Sequence, residues 1–284
     1  MQPAPPSVLA PGATLQKLAD DFAFTEGPAA DGAGNVYFTD QPNDRILVWS
    51  VEGKLSTFMQ PAGRSNGMFF DKKGNLWACA DENNQLWKIS SKKRVTILVK
   101  ADAGGKLLNG PNDVWVNPKS GHAYFTDPLY ARPYWKRDPK IQPDGEFVYL
   151  LSADGKTLRP VITDFVKPNG IVGTPDGQTL YVADIGGNRT WRYRIEKDGS
   201  LSGKTLHYAL GSDGMTLDSE ENLYLTGKGV TVVDRSGQFV ENVSVPEGWT
   251  ANVCFGGKDR KTLFITASKS LYAIKTRTRG VDDL

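Results

Sequence analysis

Six short polar phrases recur along this chain, each a few residues ahead of an apolar run: TEGP (25–28), SNGM (65–68), PNDV (111–114), PNGI (168–171), SDGM (212–215) and ANVC (251–254). At matching places they offer Glu26, Asn66, Asn112 or Asp113, Asn169, Asp213 and Asn252. One such residue beside a glycine is an ordinary turn former, because Asn and Asp side chains bond nearby backbone and tolerate left-handed conformations. Six in register, with the identity changing from Glu to Asn to Asp, point instead to a shared site. Carboxylates and amide carbonyls brought together are the ligand set of a hard divalent cation, with water and substrate completing about six to eight oxygens. Two carboxylates would balance its charge.

Nitrogen and sulfur ligands are scarce. The two histidines, His122 and His207, and the two cysteines, Cys79 and Cys254, show no zinc-ligand spacing and no HExxH pattern, so any metal must be held by oxygen. The cysteines read as small buried hydrophobes and not as a disulfide framework.

The elements that must position these residues repeat as well. Each polar phrase leads into a turn-and-strand phrase: DGAGNVYFTD (31–40), DKKGNLWACA (71–80), NPKSGHAYFTD (117–127), TPDGQTLYVAD (174–184), DSEENLYLTG (218–227) and GKDRKTLFITA (257–267). A further strand follows in every copy: ILVWSV (46–51), QLWKIS (85–90), EFVYLL (146–151), TWRYRI (190–195), VTVVDR (230–235) and SLYAIK (270–275). From Gly27 through Gly67, Asp113, Gly170 and Gly214 to Val253 the steps are 40, 46, 57, 44 and 39 residues. Short strands and glycine-bearing turns at that period predict an all-β, six-bladed β-propeller of four-stranded antiparallel blades. No segment sustains the apolar period of a helix. The last copy supplies only three strands, so the segment LQKLADDF (15–22) is expected to complete the sixth blade and close the ring. The propeller domain then spans 15–284, behind a flexible tail of residues 1–14.

The longest step carries an insertion, 129–145, with Tyr130, Tyr134 and Trp135 but no alternation. A long loop in a compact domain is a candidate rim or lid, and these rings suit stacking on a sugar face.

Composition sets limits. With 34 Lys and Arg against 32 Asp and Glu, interleaved, the chain of 284 residues has no basic block to bind nucleic acid or a membrane surface. Nor does it hold a run of about 20 apolar residues to span a bilayer. The first fourteen residues lack the basic and apolar regions of a secretory signal. We expect a soluble protein, cytoplasmic, or periplasmic or secreted after removal of a signal not present in this chain, and a monomer or weak homodimer.

The phrases TEGP, NGPNDVWV, YFTDP, KPNGI, PDGQTLYVAD, SDGMTLD and NVCFGG, in this order and spacing, resemble the senescence marker protein, gluconolactonase and luciferin-regenerating enzyme family, to which regucalcin belongs. The resemblance covers nearly the whole chain after about residue 20. It implies a six-bladed propeller and a divalent-metal-dependent lactonase acting on a small-molecule sugar lactone. Carried over by position, it implies that Glu26, Asn169 and Asp213 hold the metal directly and that Asn112 does so directly or through water. The expected cation is calcium, with zinc, manganese or iron as alternatives. Asp213 is the expected general base, with Asn112 beside it in catalysis, and Asn66, Tyr130 and Trp135 are the expected substrate contacts. One departure stands out: where many bacterial relatives read CEHG, this chain reads CADENN (79–84), so a histidine that could face the channel is absent. A paraoxonase-like histidine has no counterpart either. The competing expectation is a non-enzymatic propeller, a scaffold or ligand-binding module with a structural metal, since the fold hosts many functions.

Overall fold

The turn that opens the second strand of a repeat explains why the phrase recurs. In DGAGN the carboxylate of Asp31 accepts the backbone N–H groups of Ala33 (3.0 Å) and Asn35 (2.9 Å), while the Asn35 amide donates back to it at 2.9 Å. Asp71 closes the same turn onto Lys73 and Asn75, and Asp218 onto Glu220 and Asn222. Each turn thereby reverses the chain with its polar groups satisfied, and the apolar run after it enters a sheet.

The computed structural model describes residues 6–281. They form six four-stranded antiparallel sheets arranged as a six-bladed propeller. The innermost strands are Thr25–Ala30, Ser65–Phe70, Val114–Val116, Pro168–Gly173, Met215–Leu217 and Thr250–Gly256. In blades one to five the strands follow outward in chain order. Blade six takes its outermost strand from the N-terminal segment, Gln16–Ala19, which pairs antiparallel with Ser270–Lys275 in the register Gln16↔Ala273 and Lys17↔Tyr272. The expected closure of the ring is therefore present. Among the described residues no helix is long and apolar enough to cross a membrane.

The segment expected as a tail behaves otherwise in its described part. Val8 is 1% exposed, its backbone oxygen accepts from Arg277 at 2.7 Å, and Leu9 bridges Thr276. Val8 packs with Val243 and Ile274 of blades five and six, so apolar contact anchors what composition alone reads as loose. Residues 1–5 lie outside the described residues.

The core sits between neighbouring sheets. Trp115, Tyr124, Leu180 and Tyr181 fill the junction of blades three and four, and Tyr224, Phe255 and Leu263 that of five and six. At the axis the innermost strands approach more closely than side chains permit. A Cβ on Gly67 would lie 2.4 Å from the Asn112 carbonyl oxygen and 2.0 Å from the Asp113 carboxylate, and one on Gly214 would lie 1.9 Å from the Asn252 side chain. Gly67 and Gly214 donate their backbone N–H groups to the next blade, to Asn112 (2.7 Å) and Ala251 (2.8 Å). Glycine after the polar residue is thus a packing requirement between blades, and it draws the polar phrases into one ring.

Gly67→Ala is expected to lower stability by about 2–3 kcal/mol through overpacking, a fall of roughly 5 °C in melting midpoint, whereas Gly32→Ala, where a Cβ meets open space, is expected to be neutral. Thermal melts of the two variants check this, and equal midpoints would contradict it.

Candidate active site

The backbone under the polar ring is held by buried threonines from the phrases YFTD, YLTG and FITA. Thr39 donates to the Asn66 carbonyl (3.2 Å), Thr226 to that of Ala251 (2.8 Å) and Thr266 to that of Asn252 (3.2 Å), while Thr126 accepts the Asp113 N–H (3.1 Å). The strand-end aspartates secure the approach to each phrase. Asp40 accepts the N–H groups of Ala23 and Phe24, Asp127 those of Asn109 and Gly110, and Asp184 those of Val166 and Lys167. In four blades the phrase itself is an irregularity inside the innermost strand, between Glu26 and Ala29, Ser65 and Met68, Pro168 and Ile171, and Thr250 and Asn252. Such a bulge re-aims side chains that a regular strand would send into the sheets.

Three carboxylates meet at this ring. Glu26 and Asp113 are 2% and 7% exposed, and Asp213 is half-buried. Burial pushes the Glu26 carboxyl well above its ordinary range, and repulsion from Asp213 and Asp113 adds to the shift. Asp113 is raised in the same way by burial and by Asp213. Asp213 is pushed up to about 6 by burial, against hydrogen bonds from Trp249 and Asn169 and the charge of Arg132. Sequence reasoning left Asp113 as an alternative to Asn112. The structure gives Asp113 a place in the electrostatic cluster, while Asn112, 4% exposed, offers its backbone carbonyl to Gly67.

The amides divide into two kinds. Asn66 and Asn169 each keep a buried side-chain oxygen with no hydrogen-bond partner. Asn169 uses its NH2 on Asp213 Oδ1 (2.8 Å) and the Tyr130 hydroxyl (3.0 Å), which leaves the oxygen free for another group. Asn252 is different. Its oxygen accepts the Val253 N–H (2.8 Å), and its NH2 bridges Glu26 Oε2 (3.3 Å) and Asp113 Oδ1 (3.2 Å), so it ties two carboxylates together and does not supply the oxygen expected of it. Among the described residues no three His, Cys, Asp or Glu side chains stand at ligand spacing about one point, so an oxygen cage here needs the amides. Orphaned buried amide oxygens beside desolvated carboxylates fit a hard cation, which answers both costs at once.

The loop 129–145 docks on blade two through Asp81, in the segment CADENN. The Asp81 carboxylate accepts from Arg132 Nε (3.0 Å), the Tyr134 hydroxyl (2.8 Å) and Gln41 Nε2 (3.3 Å), and its carbonyl accepts from Trp135 Nε1 (2.9 Å). Tyr130 reaches Asn169 and so joins the site. Trp135 donates its indole N–H to the Asp81 carbonyl, and the Arg137 guanidinium lies 3.9 Å from its ring centroid, covering one face. A residue absent from the sequence reading takes a place at the site. Trp249, from the loop entering blade six, donates its indole N–H to Asp213 Oδ2 at 2.5 Å. No spacing signal marks it, because it lies outside the repeated phrases.

Past the polar ring the channel turns apolar. A cavity of about 110 Å³ is lined by Met68, Val114, Ile171, Met215 and Val253, with Arg260 and Val281 among its walls. The chain's last described residues cross there, Gly280 donating to Arg260 O (2.9 Å) and Val281 to Leu217 O (3.3 Å).

Each of these carboxyls titrates higher in the fold than in an unfolded chain. Their contribution to stability is therefore complete below about pH 4 and is lost as pH rises, through about 6 for Asp213 and through the likewise raised range of Glu26 and Asp113. In chelator, the melting midpoint is expected to fall between pH 5 and pH 7.5 (roughly the span above the unfolded pKa), and Asp113→Asn is expected to flatten that slope. A divalent cation at about a hundred times its Kd should restore roughly 2.7 kcal/mol at the upper pH. A slope unchanged by Asp113→Asn would contradict the cluster.

Comparison with known proteins places this geometry in a family. The model for the SMP-30/gluconolactonase/LRE-like region matches residues 24–269. The gluconolactonase of Zymomonas mobilis is 28% identical, the match covering 94% of this chain and 82% of that protein. A solved structure provisionally named a gluconolactonase superposes with a TM-score of 0.89 at 33% identity, covering 97% of this chain and 96% of that one. The Xanthomonas campestris protein XC5397, described as a gluconolactonase important in glucose secondary metabolic pathways, superposes with a TM-score of 0.85 at 27% identity, covering 97% and 98%. The chain belongs to the SMP-30/gluconolactonase/LRE-like family.

Proposed function

We propose that this protein hydrolyses a sugar lactone to the open hydroxy acid with the help of a divalent cation, calcium being our first assignment. The observation that carries the reading is the pair of partnerless amide oxygens, on Asn66 and Asn169, at a ring whose carboxylates have been stripped of water. Membership of a family that includes named gluconolactonases supports the choice of a lactone.

Glu26, Asn169 and Asp213 would hold the cation, with Asn112 and the Asn66 oxygen beside it. Bound there, a cation would polarise the lactone carbonyl and favour attack on it. The residues of the chain supply the rest. Asp213 is the carboxylate of the three that reaches solvent, so it is placed to take the proton of an attacking water. Water adds to the carbonyl carbon, the ring C–O bond breaks, and the same proton passes to the departing ring oxygen. Asn169 and Trp249 each occupy one oxygen of Asp213, which fixes the plane of the carboxylate. The Tyr130 hydroxyl accepts from Asn169 and keeps its own proton for a substrate oxygen; burial raises its pKa, so it remains a phenol. In the scaffold alternative these groups have no turnover to serve.

Asp213→Asn is expected to reduce hydrolysis of aldonolactones by about a hundredfold or more, the scale of a lost general base, with the circular dichroism spectrum unchanged. Chelator is expected to do the same to the wild type, reversibly. Near-normal turnover in a well-folded Asp213→Asn variant would remove Asp213 from the mechanism. A wild type inert on a panel of aldonolactones with each candidate metal would favour the scaffold.

A further inference from the structure

Trp249 remains 36% exposed although its indole N–H is bound to Asp213. A lone exposed aromatic is ordinary on a protein surface. This one is held at several points. The Ser268 hydroxyl accepts from its backbone N–H and donates to its carbonyl, both at 3.2 Å. Two residues upstream, Glu247 accepts from Ser270 Oγ (2.8 Å) and the Tyr272 hydroxyl (2.9 Å), which fixes the loop to blade six. The far edge of the indole crosses to blade five, 3.6 Å from where a Cβ on Gly227 would stand. A large apolar side chain is thus kept in water, in one orientation, beside the carboxylate that our reading makes the base.

Each aromatic ring of the insertion already has a cation over one face. Lys167 lies 4.6 Å over the Tyr130 ring, Arg64 lies 4.5 Å over that of Tyr134, and Arg137 covers Trp135. Among the described residues no cation lies over Trp249.

We propose that Trp249 is the platform on which the substrate ring lies and that, through its N–H, it also aims Asp213. This rests on the lactonase reading and adds to it the recognition of a ring with an apolar C–H face. Such a face against an indole removes apolar area from water on both sides, while hydroxyls at the rim stay free to bond. A ring lying there has its carbonyl edge next to Asp213, and an open-chain ester has no face to offer.

The test compares Trp249→Ala with Trp249→Phe, using glucono-1,5-lactone for kinetics and glucose, a ring of similar outline without the ester, for binding. Trp249→Ala is expected to raise KM about tenfold or more and to lower kcat. Trp249→Phe keeps a ring face and loses the N–H, so KM should stay within about threefold while kcat falls about fivefold or more. A purely structural role would not divide KM from kcat between the two variants. Glucose binding, read by calorimetric titration, should be retained in Trp249→Phe and lost in Trp249→Ala. An unchanged KM in Trp249→Ala, or glucose binding that survives in Trp249→Ala, overturns the proposal. If the wild type fails to hydrolyse the lactone while glucose binding depends on Trp249, the reaction is misassigned and the ring platform stands.

Discussion

Two carboxylates, Glu26 and Asp113, lie buried on the axis with no basic side chain paired to either among the described residues, and a third, Asp213, stands beside them. Gathering like charges in a desolvated place is unfavourable unless protons or a cation neutralise them. Much of the fold near the axis serves to keep them there. Glycines let adjacent inner strands touch, buried threonines pin the backbone of the polar phrases, and Asn252 bridges two of the acids. In an antiparallel ring whose last blade is completed by the N-terminal strand, no blade can swing outward to relieve the repulsion without breaking sheet-to-sheet packing. The strain is answered by chemistry at the centre.

The fold was legible because the repeat is carried by groups with local duties. Asp31, Asp71 and Asp218 close turns onto residues two and four positions on, so their spacing is visible in any copy. Outermost strands such as Leu55–Met59 and Val95–Val99 mix exposed residues with half-buried or buried ones, so no clean burial pattern announces them. Glu26, Asn169 and Asp213 were legible by position in the phrase. What an amide oxygen does there was not: Asn169 and Asn252 are the same residue type at matching places and both turn their NH2 to carboxylates, yet one keeps a free oxygen and the other spends it on the Val253 N–H. Only the neighbours decide that. Trp135 was chosen for its ring, and no spacing in the chain announces that Arg137 covers one face of it. Val8 shows the same limit at the N-terminus, where an isolated apolar residue gives no periodicity and its burial depends on Val243 and Ile274, far along the chain.

The segment CADENN shows how one blade can act on the site through another. Asp81 points its carboxylate to Arg132, Tyr134 and Gln41, and so binds the insertion of blade three to the corner of blade two. Burial raises the Asp81 carboxyl and the Arg132 charge opposes that rise, which makes the ion pair and the docked loop mutually dependent. The loop in turn carries Tyr130 to Asn169. A change in one blade is thereby transmitted to the site through a segment of the next, with the carboxylates of the ring untouched.

A symmetric ring with this loop on one side becomes a directional site. The insertion spans the sector from Asp81 to Asn169, and the Arg132 side chain brings a positive charge near Asp213 from that side. Trp249 stands on the other side, over blades five and six, with its face exposed. The apolar channel beneath is crossed by the C-terminal segment, so the half-buried edge of Asp213 faces the mouth between loop and indole. A substrate entering there meets an apolar wall on one side and hydrogen-bonding and charged groups on the other, and a sugar ring matches that division with its C–H face and its hydroxyl rim. On the lactonase reading proposed above, the orientation of the lactone would follow from the placement of two loops, and the six-fold repeat would fix only where the reacting carbonyl stops.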